Sequence, residues 1–149
     1  MSTLLLDASV ILAAFDKDDS HHGPAKAILT DPDITLATLD LVRCEVANVA
    51  VRAWGEPDRV SGLLEAVDRI ADDGEAVVSG TRLLTKAAQL AQKHAISVYD
   101  AAYVTAASTG GRTLVSCDER DLISKKLAVT PGEARERSAS AGPSSSTRQ

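Results

Sequence analysis

Aromatic residues are nearly missing from this 149-residue chain: one Phe, one Trp and two Tyr make up 3% of it. Any core must therefore be assembled from Ala, Val, Leu and Ile. Two Cys and three His are too few for a spaced zinc-ligand set, and no CxxC pair occurs. Cys44 and Cys117 instead read as small buried apolar side chains rather than a disulfide. Positive charge is also short, with 16 Lys and Arg against 21 Asp and Glu and a formal net charge of -5. That balance argues against a broad, non-specific grip on nucleic acid, which needs many cations on phosphates. No apolar run approaches the roughly 20 residues that span a bilayer. The N-terminus, MSTLLLDASVI, has neither the basic start nor the cleavage site of a signal peptide, so a cytoplasmic protein without membrane contact is expected. Neither GxxxxGK[ST] nor GxGxxG appears, which leaves nucleotide binding of those types unsupported.

What is present is an ordinary globular composition, 44% hydrophobic and 25% charged, in a length that suits one domain. Short apolar runs alternate with helical periodicity. Leu4–Leu6, residues 34–38, residues 76–78 and residues 113–117 read as strands, with residues 127–129 as a further short one. Helices are expected from Ala8, over residues 25–29, from residue 41 towards Gly55 with Asp40 as its cap, from Asp58, over Thr81–His94 and over residues 98–108. Alternation of this kind implies an α/β fold: a three-layer sandwich with a mostly parallel central sheet of four to five short strands flanked by helices. After residue 132 the composition shifts to Ser, Arg, Ala and Gly, so residues 1–132 form the expected domain and 133–149 a flexible tail.

Four carboxylates stand out against this pattern. Asp7 and Asp118 each follow an expected strand at its carboxyl end, where parallel sheets collect their ligands. Glu45 sits one helical turn from Leu41, Val42 and Val49, on a largely apolar face with no cation three or four residues away. Asp100 is the only charge in the segment Val98 to Ala107. Ser9 and Ser116, two residues from Asp7 and Asp118, could hydrogen-bond a carboxylate. Asp121 reads as the cap of a short helix over residues 122–127 and is left outside the cluster. Acids gathered together raise one another's pKa and call for a compensating cation. A donor set of oxygen alone selects Mg2+ or Mn2+, which can activate water and orient a phosphodiester.

LLLDASVI, LVRCEVANV, SVYDAAYVTAA and TLVSCDERDL, in that order, resemble the PIN-domain ribonucleases, and especially the VapC toxins of toxin–antitoxin modules, over about residues 3 to 131. The resemblance implies that Asp7, Glu45, Asp100 and Asp118 are the family's four acids and hold Mg2+ or Mn2+, with Asp7 and Asp100 as the most direct ligands. It also implies endonucleolytic cleavage of RNA, a small VapB-like antitoxin that folds over the active site, and a homodimer. Arg112, Arg120, Lys125 and Lys126 are the nearest basic candidates for an RNA path, and Trp54 is a candidate partner anchor or core residue. Two other classes compete. One is an aspartyl-phosphate phosphatase or phosphotransferase using Asp7 as nucleophile, although Ser9 stands where that pattern wants a second Asp. The other is a non-catalytic interaction module with no metal dependence.

Overall fold

The computed structural model describes residues 2–140. Strands β1 (Leu4–Leu6), β2 (Leu36–Leu39), β3 (Glu75–Val77) and β4 (Thr113–Val115) form one sheet in the order β3-β2-β1-β4. Every pairing is parallel. Beyond β4, Val129 adds a single parallel bridge to Val115, so the expected fifth strand shrinks to one rung. The central strands are short and apolar because both faces are covered: Leu5 and Leu6 are fully buried, as are Ala37 and Leu39.

Helices α1 (Ala8–Ala14) and α2 (His22–Thr30) carry the chain from β1 to β2, and α3 (Val42–Arg52) and α4 (Val60–Asp73) carry it from β2 to β3. Both steps move the same way along the sheet. The return from β3 past β1 to β4, through α5 (Thr81–His94) and α6 (Val98–Thr109), moves the other way. Right-handed crossovers therefore put α1 to α4 on one face and α5 with α6 on the other, giving three layers. The strand order reverses between β1 and β4, the position where open α/β sheets place their ligand crevice.

Local chemistry fixes the joints. Gly74 ends α4 so close to β2 that a Cβ there would lie 1.9 Å from the Leu36 carbonyl oxygen. Arg112, at the start of β4, donates to Glu75 at 3.0 Å through Nε and to the Ala106 carbonyl at 2.8 Å. It ties the amino-terminal ends of β3 and β4 together, far from any strand's carboxyl end. Lys125 donates to the His94 and Ala95 carbonyls at the end of α5, where Ala95 takes a left-handed φ of 54°.

Several expectations need correction. Asp40 does not cap α3; its carboxylate accepts the Ser79 N–H at 3.1 Å, linking the ends of β2 and β3. Asp121 caps nothing: Asp118 accepts the Asp121 N–H at 3.0 Å and opens a wide helical turn, Glu119–Ile123. Cys44 is exposed on α3, although both thiols are free. The tail does not begin at residue 133, because α7 (Pro131–Ser140) buries Pro131 and Ala134. The remainder of the expected tail, 141–149, lies outside the described residues. Among the described residues no helix is long and apolar enough to cross a membrane.

Candidate active site

Asp7 follows β1 directly and serves as the cap of α1, accepting the Val10 N–H at 3.4 Å. Its backbone N–H is held by the Val115 carbonyl of β4 at 3.2 Å, so the acid is fixed at the carboxyl edge of the two central strands. The Ser9 hydroxyl donates to Asp7 Oδ1 at 2.5 Å and accepts the Cys117 N–H at 2.9 Å. The Ser116 hydroxyl, fully buried, accepts the Asp118 N–H at 3.0 Å. Ser9 thus ties the exit of β1 to that of β4, with its Oγ 3.5 Å from that of Ser116.

Asp7 is only 6% exposed. Desolvation dominates its titration and pushes the pKa from 3.8 to about 6. The Ser116 and Ser9 hydroxyls and the Val10 N–H pull it back by favouring the ionised form, while the Glu45 charge adds to the rise. Glu45 reaches the same region from α3, in the sheet's other crossover. It is raised above the usual carboxylate range by burial and then by Asp100, against the hydrogen bond it accepts from the Tyr103 hydroxyl at 2.7 Å. Neither Arg43 nor Arg52 pairs with it; Arg43 faces Asp68 instead.

Asp100 arrives from the first turn of α6, whose cap is Ser97 accepting the Asp100 N–H at 3.0 Å. Burial raises its pKa most, followed by the charge of Asp118; Asp121 adds a smaller push, which the Ser97 bond opposes. Carboxylate oxygens of Asp100, Asp118 and Asp121 lie within 4.8 Å of one another. The acids thus form an arc: Asp7 beside Glu45, Glu45 beside Asp100, and Asp100 beside Asp118 and Asp121.

Of the four acids singled out in the sequence, Asp100 and Asp118 cluster together with Asp121, and Asp7 and Glu45 neighbour them electrostatically. Asp121 joins because the wide turn after Asp118 carries i to i+5 hydrogen bonds, Ile123 N–H to Asp118 O and Ser124 N–H to Glu119 O, rather than an ordinary helix. A second acid three residues from Asp118 was the available signal, and it was spent on a cap. The Tyr103 hydroxyl, which the sequence does not single out, reaches the same site.

The donor set fits a hard divalent cation. Carboxylates from four separate elements face one sheet edge, burial first and neighbouring acids second raise three of their pKa values, and no basic side chain among the described residues pairs with Asp7, Glu45 or Asp100. Cys117, the one soft donor nearby, is pushed up to about 12 by burial and stays a neutral thiol. A concavity of about 730 Å³ lies elsewhere, lined by Phe15, Lys26, Leu29, Leu36, Arg69 and Gly74 among others, at the amino-terminal ends of β2 and β3. None of the acids lines it.

The family model for the PIN domain matches residues 4–126. The chain is 36% identical over 133 residues to Ribonuclease VapC3 of Pyrobaculum aerophilum, an alignment covering 86% of this chain and 98% of the relative. Two solved structures are similar in fold. A Pyrobaculum aerophilum protein superposes with a TM-score of 0.67 at 22% identity, over 93% of this chain and 90% of its own. Mycobacterium tuberculosis VapC20, described as a sarcin–ricin loop cleaving toxin, gives 0.66 at 18% identity, over 79% and 92%. A strand order that reverses beside a rim of acids, a family match along most of the sequence and a relative sharing more than a third of its residues agree: the chain belongs to the PIN domain family.

Proposed function

We propose that this protein is a Mg2+- or Mn2+-dependent endoribonuclease acting as the toxin of a toxin–antitoxin pair. The observation that carries the reading is a sheet edge where Asp100, Asp118 and Asp121 cluster and where Asp7, Glu45 and Asp100 have no cationic partner among the described residues. The kinship to Ribonuclease VapC3 supports RNA as substrate. Structural relatives described as a Klebsiella pneumoniae toxin–antitoxin complex and as VapBC of Salmonella typhimurium support a small VapB-like antitoxin as partner. A homodimer and a cytoplasmic location complete the reading.

The residues divide the work by position. Asp7, Glu45, Asp100 and Asp118 would hold the ion, with Asp121 as a further oxygen donor beside Asp118. When bound, a divalent ion supplies a more acidic water and charge to offset that growing on phosphate oxygens. Ser9 holds Asp7 in one orientation and keeps its Oδ1 occupied, and the buried Ser116 fixes the turn that carries Asp118. Of the four basic candidates, Arg112 and Lys125 are engaged in the fold. Arg120, in the turn between Asp118 and Asp121 and 94% exposed at its side chain, is the one we assign to an RNA phosphate.

The aspartyl-phosphate reading fits less well. Asp7 is nearly buried, and Ser9 stands where that pattern wants a second Asp. The test is cleavage of a mixed RNA substrate by purified protein. Activity should appear with Mg2+ or Mn2+, vanish in EDTA, and be absent from the folded Asp100→Asn variant. EDTA-resistant cleavage that survives in that variant would falsify the metal mechanism. No cleavage of any RNA by folded, metal-loaded protein would favour the non-catalytic interaction module.

A further inference from the structure

Tyr103 stands apart from the rest of this aromatic-poor core. Its side chain is 1% exposed, and its hydroxyl donates to Glu45 Oε1 at 2.7 Å, joining α6 to α3 across the acid arc. A phenylalanine would fill the same apolar space; only the hydroxyl needs Glu45. The bond spans 58 residues and lies one helical turn beyond Asp100, so one helix carries both an acid of the arc and the donor that restrains another.

We propose that Tyr103 is a positioning residue, whose hydroxyl pins the Glu45 carboxylate in the orientation that meets the divalent ion. The inference rests on the metal-dependent reading above and deepens it. Glu45 has three rotatable side-chain bonds and no cation to hold it. Among the described residues, Tyr103 makes its only side-chain hydrogen bond, through Oε1, which leaves Oε2 without a protein partner. A tyrosine hydroxyl is protonated at neutral pH and can donate to a carboxylate. Outer partners of this kind orient the groups that touch a metal, and their loss typically weakens metal affinity about 10- to 100-fold.

The test measures Mn2+ binding by titration calorimetry or electron paramagnetic resonance, independently of cleavage. Tyr103→Phe should fold, and its Mn2+ dissociation constant should rise about 10-fold or more. In a Glu45→Gln background, where the carboxylate is gone, the same change should add no further loss. Wild-type affinity in folded Tyr103→Phe overturns the proposal, as does an equal loss in both backgrounds, since that would be a general effect on packing. Mn2+ failing to bind the wild type would sink the metal reading itself, a separate result. A second measurement needs no cavity in the core. The chain has two tyrosines, so 3-fluorotyrosine in a Tyr99→Phe protein reports on Tyr103 alone. Its fluorine resonance should shift saturably as Mg2+ is added; an invariant resonance at saturating Mg2+ refutes the role.

Discussion

Replacing Asp7 by Asn should make the metal-free protein more stable at neutral pH. The Asp7 carboxyl titrates near pH 6 when folded, against 3.8 without the fold, because its ionised form is stripped of water. A carboxyl whose pKa is raised by folding binds more protons in the native state. Its contribution is full at low pH and is lost as pH rises through about 6. The gap corresponds to roughly 3 kcal/mol at about 1.4 kcal/mol per pH unit, a large part of the ~5–15 kcal/mol that holds a domain together. Glu45 and Asp100 are raised too, so their charges push the same way. Asn keeps the acceptor that Ser9 and Val10 use and removes the charge. Urea unfolding in EDTA, from pH 4 to pH 7.5, should therefore show the variant gaining on the wild type as pH rises, by on the order of 2–3 kcal/mol in all. Mg2+ should close the gap, because it stabilises only a fold that can bind it; at 100 times its dissociation constant the gain is ~2.7 kcal/mol. A stability difference that does not change with pH, or a wild type more stable than the variant at pH 7.5 in EDTA, would refute the argument.

Other perturbations separate the fold from the site. Arg112→Ala should lower stability by about 1 kcal/mol, seen in thermal melts, because the half-exposed Glu75 is easily resolvated; RNA cleavage should be unaffected. Arg120→Ala should do the reverse, raising KM for RNA and steepening nothing in the melting curve, since its side chain is 94% exposed. Leu5→Ala, in a fully buried position of a central strand, should lose about 2–5 kcal/mol in urea titrations. Gly74→Ala should cost ~1–3 kcal/mol by forcing β2 away from α4, measured the same way.

Much of this arrangement is written in local sequence. The strand and helix periods locate β1 and α5, and Gly110 and Gly111 mark the end of α6 before β4. Acids placed after apolar runs, or stranded on apolar helix faces, single out Asp7, Glu45, Asp100 and Asp118 as candidates without coordinates. The errors fall where a residue has two local uses and tertiary contacts choose between them. Asp40 and Asp121 both suit a helix start; the first is taken by the Ser79 N–H across the sheet and the second is turned towards Asp100 by an i to i+5 turn. Pro131 and Ala134 look like the start of a polar tail but are buried in α7, which packs against α2. Tyr103 could be read as core from its spacing, but its hydroxyl gained meaning only when α3 brought Glu45 to it.

A crystal of the protein grown with Mn2+ offers the most direct test, through the anomalous scattering of the ion. The account expects a peak at the carboxyl edge of β1 and β4, within about 2.5 Å of oxygens from Asp7, Glu45, Asp100, Asp118 or Asp121. A saturated crystal with no peak there, or with manganese bound only away from these five side chains, would contradict it.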